Sequence, residues 1–255
     1  MNRALTAPEA AIPVREGVIH GVGLGPGDPD LMSVRADRLV REARHVAYFR
    51  KAGRLGRARK IVEGMLRADA VEHPMDYPVT TEIPLTDPRY NALLSAFYAE
   101  KTESLRVLAQ AGEDVVVLCE GDPFFYGSFM HLHARLKDRA DVRVVPAITG
   151  MSAAWTATDI PVTWGDDVLS VVMGTLPEDQ LARALADADA AVVMKIGRNL
   201  AKVRDALTRA GKADRAWLVE LASMDGQRVT PLAEAEQTTV PYFSIVIVHG
   251  CGRRP

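Results

Sequence analysis

The stretch Val115-Val116-Val117-Leu118-Cys119 followed by Glu120-Gly121-Asp122-Pro123-Phe124-Phe125-Tyr126-Gly127 constrains this chain more than any other. Five consecutive apolar residues, three of them β-branched, predict a strand buried on both faces. Pro123 cannot continue a sheet ladder, and Gly121 permits a sharp turn or a close approach of backbone to a ligand. Residues 128–136 then read as a helix. In an open α/β sheet, ligands sit at the carboxyl ends of the strands, and this is such an end. A carboxylate and aromatic rings released into a tight turn suit an uncharged or cationic aromatic ligand.

The rest of the chain repeats this rhythm. Val18–Leu24 predicts a short strand running into Gly25-Pro26-Gly27-Asp28, with Ser33 as N-cap of a helix that turns Val34, Leu39 and Val40 inward. Val46–Phe49 predicts a second strand, and residues 90–111 a helix with Leu93, Leu94, Phe97, Leu105 and Leu108 as core. Val142–Val145 is a further strand, entering Pro146–Ser152 and an alanine-rich helix to Thr158. Strands and helices alternating in this way imply a parallel sheet. Beyond it come strands at 169–173, 190–195 and 216–220, helices at 180–186 and 201–210, and a closing pair of strands at 227–232 and 243–248. The fold class is therefore α/β, with a tail over 1–16, an N-terminal α/β domain with a parallel sheet over 17–146, and a C-terminal α/β domain with a mixed sheet over 147–255.

Several chemistries lack their signatures. The glycine-rich opening does not fit the dinucleotide fingerprint, whose glycines fall at relative positions one, three and six. Counting from Gly21 the sixth position is Pro26, and counting from Gly23 it is Asp28. Pro26 also removes a backbone N–H that a pyrophosphate would use. No Gly-x-Ser-x-Gly elbow and no P-loop occur, and Cys119 has no basic neighbour in sequence to activate it. His131 and His133 are two apart at a helix start and face different ways, and the other histidines are scattered, so no metal site is expected. A formal charge of −2 provides no bulk attraction for nucleic acid or acidic membranes. The polar, proline-containing start lacks the apolar core of a signal peptide, no run of eighteen apolar residues exists, and two cysteines build no disulfide framework. A cytoplasmic protein is the expectation.

Against that neutral background, Arg50–Lys60 places Arg50, Lys51, Arg54, Arg57, Arg59 and Lys60 together with no acid among them. Such a stretch is either a solvated basic face or a receptor for a multiply carboxylated ligand, which arginine grips bidentately. Four glycine-rich, proline-punctuated strand ends remain, at 23–28, 120–127, 146–152 and 195–199, able to line one cleft.

Three of those turns carry a resemblance. Gly23-Leu24-Gly25-Pro26-Gly27-Asp28, Glu120–Pro123 with Tyr126-Gly127, and Ile148-Thr149-Gly150-Met151-Ser152-Ala153 resemble the tetrapyrrole (corrin/porphyrin) methylase family, in the family's order and over about 18–250. Tyr77-Pro78-Val79-Thr80-Thr81-Glu82, Phe124–Ser128, Met194–Asn199 and Pro241–Ser244 are similar to the branch that methylates precorrin-2 at C-20 on the aerobic route to cobalamin, before cobalt insertion. The resemblance implies a homodimer of two-domain α/β chains, with the active-site cleft between the domains and S-adenosylmethionine as methyl donor. It further implies that Glu120, Gly121 and Asp122 hold the methionine portion of the cofactor, that Phe125, Thr149 and Gly150 border the adenosine, and that Pro26 shapes the floor. Lys195 and Ala222 would touch the cofactor from the second domain, although Ala222 stands where a glycine is common. Arg50, Arg54, Arg57, Thr80, Thr81 and Arg198 are the candidates for the substrate, and Tyr77, Glu82 and Tyr126 for the base that removes the ring proton. A sulfonium cation tolerates carbonyl oxygens and aromatic faces. Other readings stay open: a methylase aimed at a cobalt-containing or different tetrapyrrole carbon, at diphthine or at ribosomal RNA, or a non-catalytic binding protein.

Overall fold

A computed structural model describes residues 15–80, 83 and 87–254. The chain divides into two compact units. The first takes in the residues up to Val22, Asp37–Cys119 and Ser128–Val145; the second takes in Gly23–Ala36, Glu120–Gly127 and the chain from Pro146 onward.

The first unit is built on β1 (Val18–Gly23), β2 (His45–Lys51), β3 (Val71–Tyr77), β4 (Val115–Cys119) and β5 (Asp141–Val145), in the order β3-β2-β4-β1-β5. β2 runs parallel to both β3 and β4, and β1 parallel to β5. The five-residue apolar run is thus the central strand, and every one of its residues is buried. Helices α1 (Val34–Glu42), α2 (Arg57–Ile61), α3 (Pro88–Gln110) and α4 (Phe129–Leu136) complete the crossovers, although the first turn of α1 belongs to the second unit. Ser33 caps α1 through a 3.1 Å bond from Ala36 N, and Asp87 caps α3 by accepting from Arg89 N at 2.9 Å.

Two inward assignments are corrected. Val34 is 79% exposed at the first position of α1, where the buried stripe is Ala36 and Val40. Leu93 is also exposed, because the buried face of α3 begins one turn later, at Phe97, and runs through Tyr98, Thr102, Leu105 and Ala109. Strand β3 is absent from the sequence reading. Its charges alternate with partly buried residues and it contains Pro74, which a sheet tolerates only at an edge, and β3 is the edge. Tyr77 and Met75 share the face that packs on Phe97 and Leu105.

The second unit holds α5 (Gly150–Ala157), β6 (Leu169–Met173), α6 (Glu178–Ala186), β7 (Ala190–Met194), α7 (Leu200–Arg209), β8 (Ala216–Glu220), β9 (Arg228–Pro231) and β10 (Ser244–Val248). Its sheet order is β6-β7-β10-β8-β9, with β6 parallel to β7 and the remaining pairings antiparallel, which makes the sheet mixed. The last two strands do not pair with each other. β10 is almost wholly buried and lies between β7 and β8, while β9 folds back on β8 as a hairpin. Each fully buried leucine or valine under this sheet contributes roughly 1.5–3 kcal/mol. Leu181, Leu185, Leu200 and Leu207 anchor α6 and α7 to it.

Candidate active site

The strand-end turns of the second unit converge through glycines. Gly121 N donates to Gly25 O at 2.8 Å, an isolated bridge that ties the two turns together. A Cβ on Gly23 would lie 2.6 Å from Ala147 Cβ and 2.8 Å from Gly121 O, so no larger residue lets the three turns meet. Gly121 is different. Its φ is +62°, and a Cβ there would have as its nearest neighbour Gly150 N, at 4.0 Å. The backbone of this turn therefore faces open space beside the N-terminus of α5, where unpaired N–H groups and the helix dipole favour a carboxylate. Thr149 caps that helix by accepting from Ser152 N at 3.4 Å.

Asp122 is a staple rather than an available anion. One carboxylate oxygen accepts from Phe124 N and the other from Ala147 N, both at 2.9 Å. Glu120 is exposed at the strand end, and Pro26 is buried in the first turn. Phe125 and Tyr126 pack edge to face at 4.9 Å, and the Lys195 ammonium sits 5.4 Å from the centre of the half-exposed Tyr126 ring. Tyr126 and Lys195 both hold positive φ, at 55° and 54°, a conformation costing roughly 1–3 kcal/mol in non-glycine residues. Ala222 packs partly buried near Ala154 and Ile247. It lies between Leu221 and Ser223, whose φ values are 53° and 58°. The Ser223 hydroxyl is buried without a hydrogen-bond partner among the described residues. Met224 closes this turn, its Cγ lying 2.4 Å from where a Cβ on Gly27 would be. Arg198 is exposed on a short 3-10 turn after Lys195. Neither Ser223 nor Met224 has a sequence signal, because the glycine that would mark the strained turn is missing.

In the first unit, Arg50 pairs with Asp76 at 2.5 Å, and Arg59 forks Glu72 with two 2.9 Å bonds. The Arg59 guanidinium holds the Glu72 carboxyl below its usual range, against the opposing effect of burial. Two cations of the basic stretch are thus matched by carboxylates from β3, while Arg54 and Arg57 are exposed. Tyr77 ends β3, and its hydroxyl shares a short hydrogen bond with Ser128 Oγ. Thr80 follows, half-buried. Thr81 and Glu82 lie outside the described residues. No group of three histidine, cysteine or acidic side chains able to hold a metal ion occurs among the described residues, and no helix among them is long and apolar enough to cross a membrane.

Residues 18–236 match the model of the tetrapyrrole (corrin/porphyrin) methylases. The chain belongs to this family. A methylase named precorrin-2 C(20)-methyltransferase, from Sinorhizobium sp, is 49% identical over 94% of this chain and 98% of its own length. Cobalamin biosynthesis protein CobIJ of Mycobacterium tuberculosis is 48% identical over 93% of the chain, which spans 47% of that longer protein. Among solved structures, the methyltransferase CobJ superposes with a TM-score of 0.69 at 20% identity, covering 94% of this chain and 96% of CobJ. A uroporphyrin-III C-methyl transferase from Thermus thermophilus, complexed with S-adenyl homocysteine, gives 0.64 at 24% identity, covering 91% and 92%. At these identities the two superpositions carry the methylase fold.

Proposed function

We propose that this chain transfers a methyl group from S-adenosylmethionine to C-20 of precorrin-2, giving precorrin-3A in cobalamin synthesis, and that it does so as a cytoplasmic homodimer. The observation that carries the reading is the 49% identity, end to end, with a relative named for that reaction. The open Gly121 turn supports it, because it offers backbone groups and a helix N-terminus but no phosphate cradle.

The donor, when bound, supplies a methyl group already activated by the sulfonium. Glu120 and Gly121 would hold its methionine portion, and Phe125, Thr149 and Gly150 would border its adenosine, while Pro26, Lys195 and Ala222 line the turns around it. Asp122 serves by fixing the turn's shape, since both its oxygens are engaged by backbone N–H groups. The Tyr126 ring holds the Lys195 ammonium 5.4 Å from its centre, a contact worth about 0.5–1 kcal/mol at an exposed site.

C-20 of the reduced ring is enamine-like, so attack needs no strong base beforehand. The protein's main task is alignment, which can contribute ~7–11 kcal/mol of barrier reduction. Arg54, Arg57, Arg198, Thr80 and Thr81 would receive the acetate and propionate arms, with Arg50 reaching them from its pair with Asp76. Loss of the ring proton falls to Glu82, Tyr126 or Tyr77.

Incubation with metal-free precorrin-2 and carbon-13 methyl donor tests the assignment, since the NMR position of the label identifies the carbon. Label at C-20 supports it. Label on a pyrrole carbon, in RNA or in protein, or turnover only of a cobalt-containing ring, overturns it.

A further inference from the structure

Among the described phenylalanine, tyrosine and tryptophan residues, those that are exposed are Phe124, Tyr126 and Tyr242, and all of them stand on loops of the second unit. A single exposed apolar residue is ordinary. What sets Tyr242 apart is a ring that is 76% exposed on a backbone held from both sides. Val240 N donates to Gly197 O at 3.4 Å, and Leu221 N donates to Phe243 O at 2.8 Å. Tyr242 therefore stands between the Lys195–Asn199 turn and the Leu221–Met224 turn, no more than about 7 Å of chain from either contact. Earlier in the same loop, Arg204 donates to the Ala235 and Gln237 carbonyls, and the Gln237 side chain donates to the buried Glu220 carboxylate at 3.4 Å. The Phe243 ring meets that of Tyr242 nearly at right angles, with centroids 5.0 Å apart. An aromatic side chain fixed in this way has little freedom left to lose when a ligand covers it.

Resting on the methyltransferase reading above, we propose that Tyr242 binds the tetrapyrrole, its ring lying against a face of the macrocycle. Such a substrate has apolar ring faces and a rim of carboxylate arms, so its receptor needs aromatic surface and cations side by side. The second unit offers that pairing. The turn that accepts from Val240 carries Lys195 and Arg198, both exposed, and the Lys195 ammonium lies 5.4 Å from the centre of the Tyr126 ring. Tyrosine suits the task because it offers a large, rigid contact with an apolar body and a polar tip, and only two torsions need fixing. The methyl donor is the other aromatic occupant to weigh, and burial speaks against it. Ala222, read as touching the donor from this side, is partly buried, and the neighbouring Ser223 hydroxyl is buried, whereas Tyr242 projects into open solvent. A recess beside an exposed ring leaves the ring to the larger molecule.

Steady-state kinetics with precorrin-2 and S-adenosylmethionine test the assignment. Tyr242→Ala should raise the tetrapyrrole KM about tenfold, the loss of one aromatic contact and the area it covers. Tyr242→Phe, which keeps the ring, should bring KM back to within about twofold of the parent chain. S-adenosylhomocysteine affinity, measured by calorimetry on both variants, should also stay within about twofold. The thermal midpoint should move by no more than about 2 °C, because an exposed side chain carries little of the fold. A parent chain that forms product alongside an alanine variant of unchanged KM overturns the Tyr242 assignment alone. Weaker S-adenosylhomocysteine binding at constant tetrapyrrole KM gives the ring to the donor and overturns it too. A phenylalanine variant no better than the alanine one overturns contact through the ring face. If the unaltered chain forms no methylated product, the parent reading falls and this one with it.

Discussion

The Asp122 carboxylate reaches across to Ala147, bonding its backbone N–H at 2.9 Å while its other oxygen closes its own turn at Phe124 N. The turn after β4 and the turn after β5 are held by one side chain. Each such bond to a charged acceptor contributes roughly 1.5–3 kcal/mol net. With two such bonds lost, Asp122→Ala should lower the thermal midpoint by about 6 °C or more, given roughly 2–4 °C per kcal/mol at this chain length. Asp122→Asn, with one acceptor oxygen, should recover about half of the loss. An unchanged midpoint in calorimetry for the alanine variant would remove the staple from the account.

Gly121 and Gly23 should separate binding from stability. Gly121→Ala meets no protein atom closer than 4.0 Å and bears mainly the cost of a positive φ, about 1–2 kcal/mol. Its methyl group occupies the space offered to the methyl donor, so S-adenosylhomocysteine affinity should fall about tenfold or more. Gly23→Ala drives a methyl group into Ala147 and the Gly121 carbonyl and should cost about 2–3 kcal/mol of stability. The idea fails if Gly121→Ala binds the product as tightly as the parent chain.

Arg54 and Arg57 are exposed members of the basic stretch. Their joint replacement by alanine should raise the tetrapyrrole KM about 3- to 10-fold at low ionic strength. The difference should narrow near 1 M salt, where the screening length falls to about 3 Å. A KM that ignores both the substitutions and the salt returns this stretch to a solvated face.

The Glu72–Arg59 fork carries a pH signature. Arg59 holds the folded-state carboxyl below its ordinary 4.5, so the pair's stabilisation is present above that value and is lost as pH falls through the depressed one. Glu72→Gln should cost about 0.5–1 kcal/mol at neutral pH, an amount suited to a partly exposed pair. Denaturant titrations should show the two proteins converging below pH 4.5. A gap that persists into strong acid would mean that the loss is one of packing rather than charge.

Local pattern determined most of the architecture. The run Val115–Cys119 reads as a buried strand because burial on both faces demands uninterrupted apolar residues, and it is the central strand of its sheet. Ser33 and residues 169–173 and 216–220 were legible for the same kind of reason, since caps and short apolar runs are written in neighbouring residues. The family itself was legible in the ordered turns at 23–28, 120–127 and 148–153, and the family match over 18–236 bears it out.

Only the tertiary structure decided how distant segments complete one another. It brought β3, with Glu72 and Asp76, alongside a basic stretch that contains no acid of its own. It slid β8 between β9 and β10, because the nearly all-buried β10 requires neighbours on both edges. It joined 23–36 and 120–127 to the second unit rather than to the strands that precede them. Tyr77 and Ser128 carry no common motif; their hydroxyls meet because a sheet edge and a helix start converge there. Periodicity along a chain records which face of an element is buried, but not which other element buries it, and that is where the hydroxyls and charges find their partners.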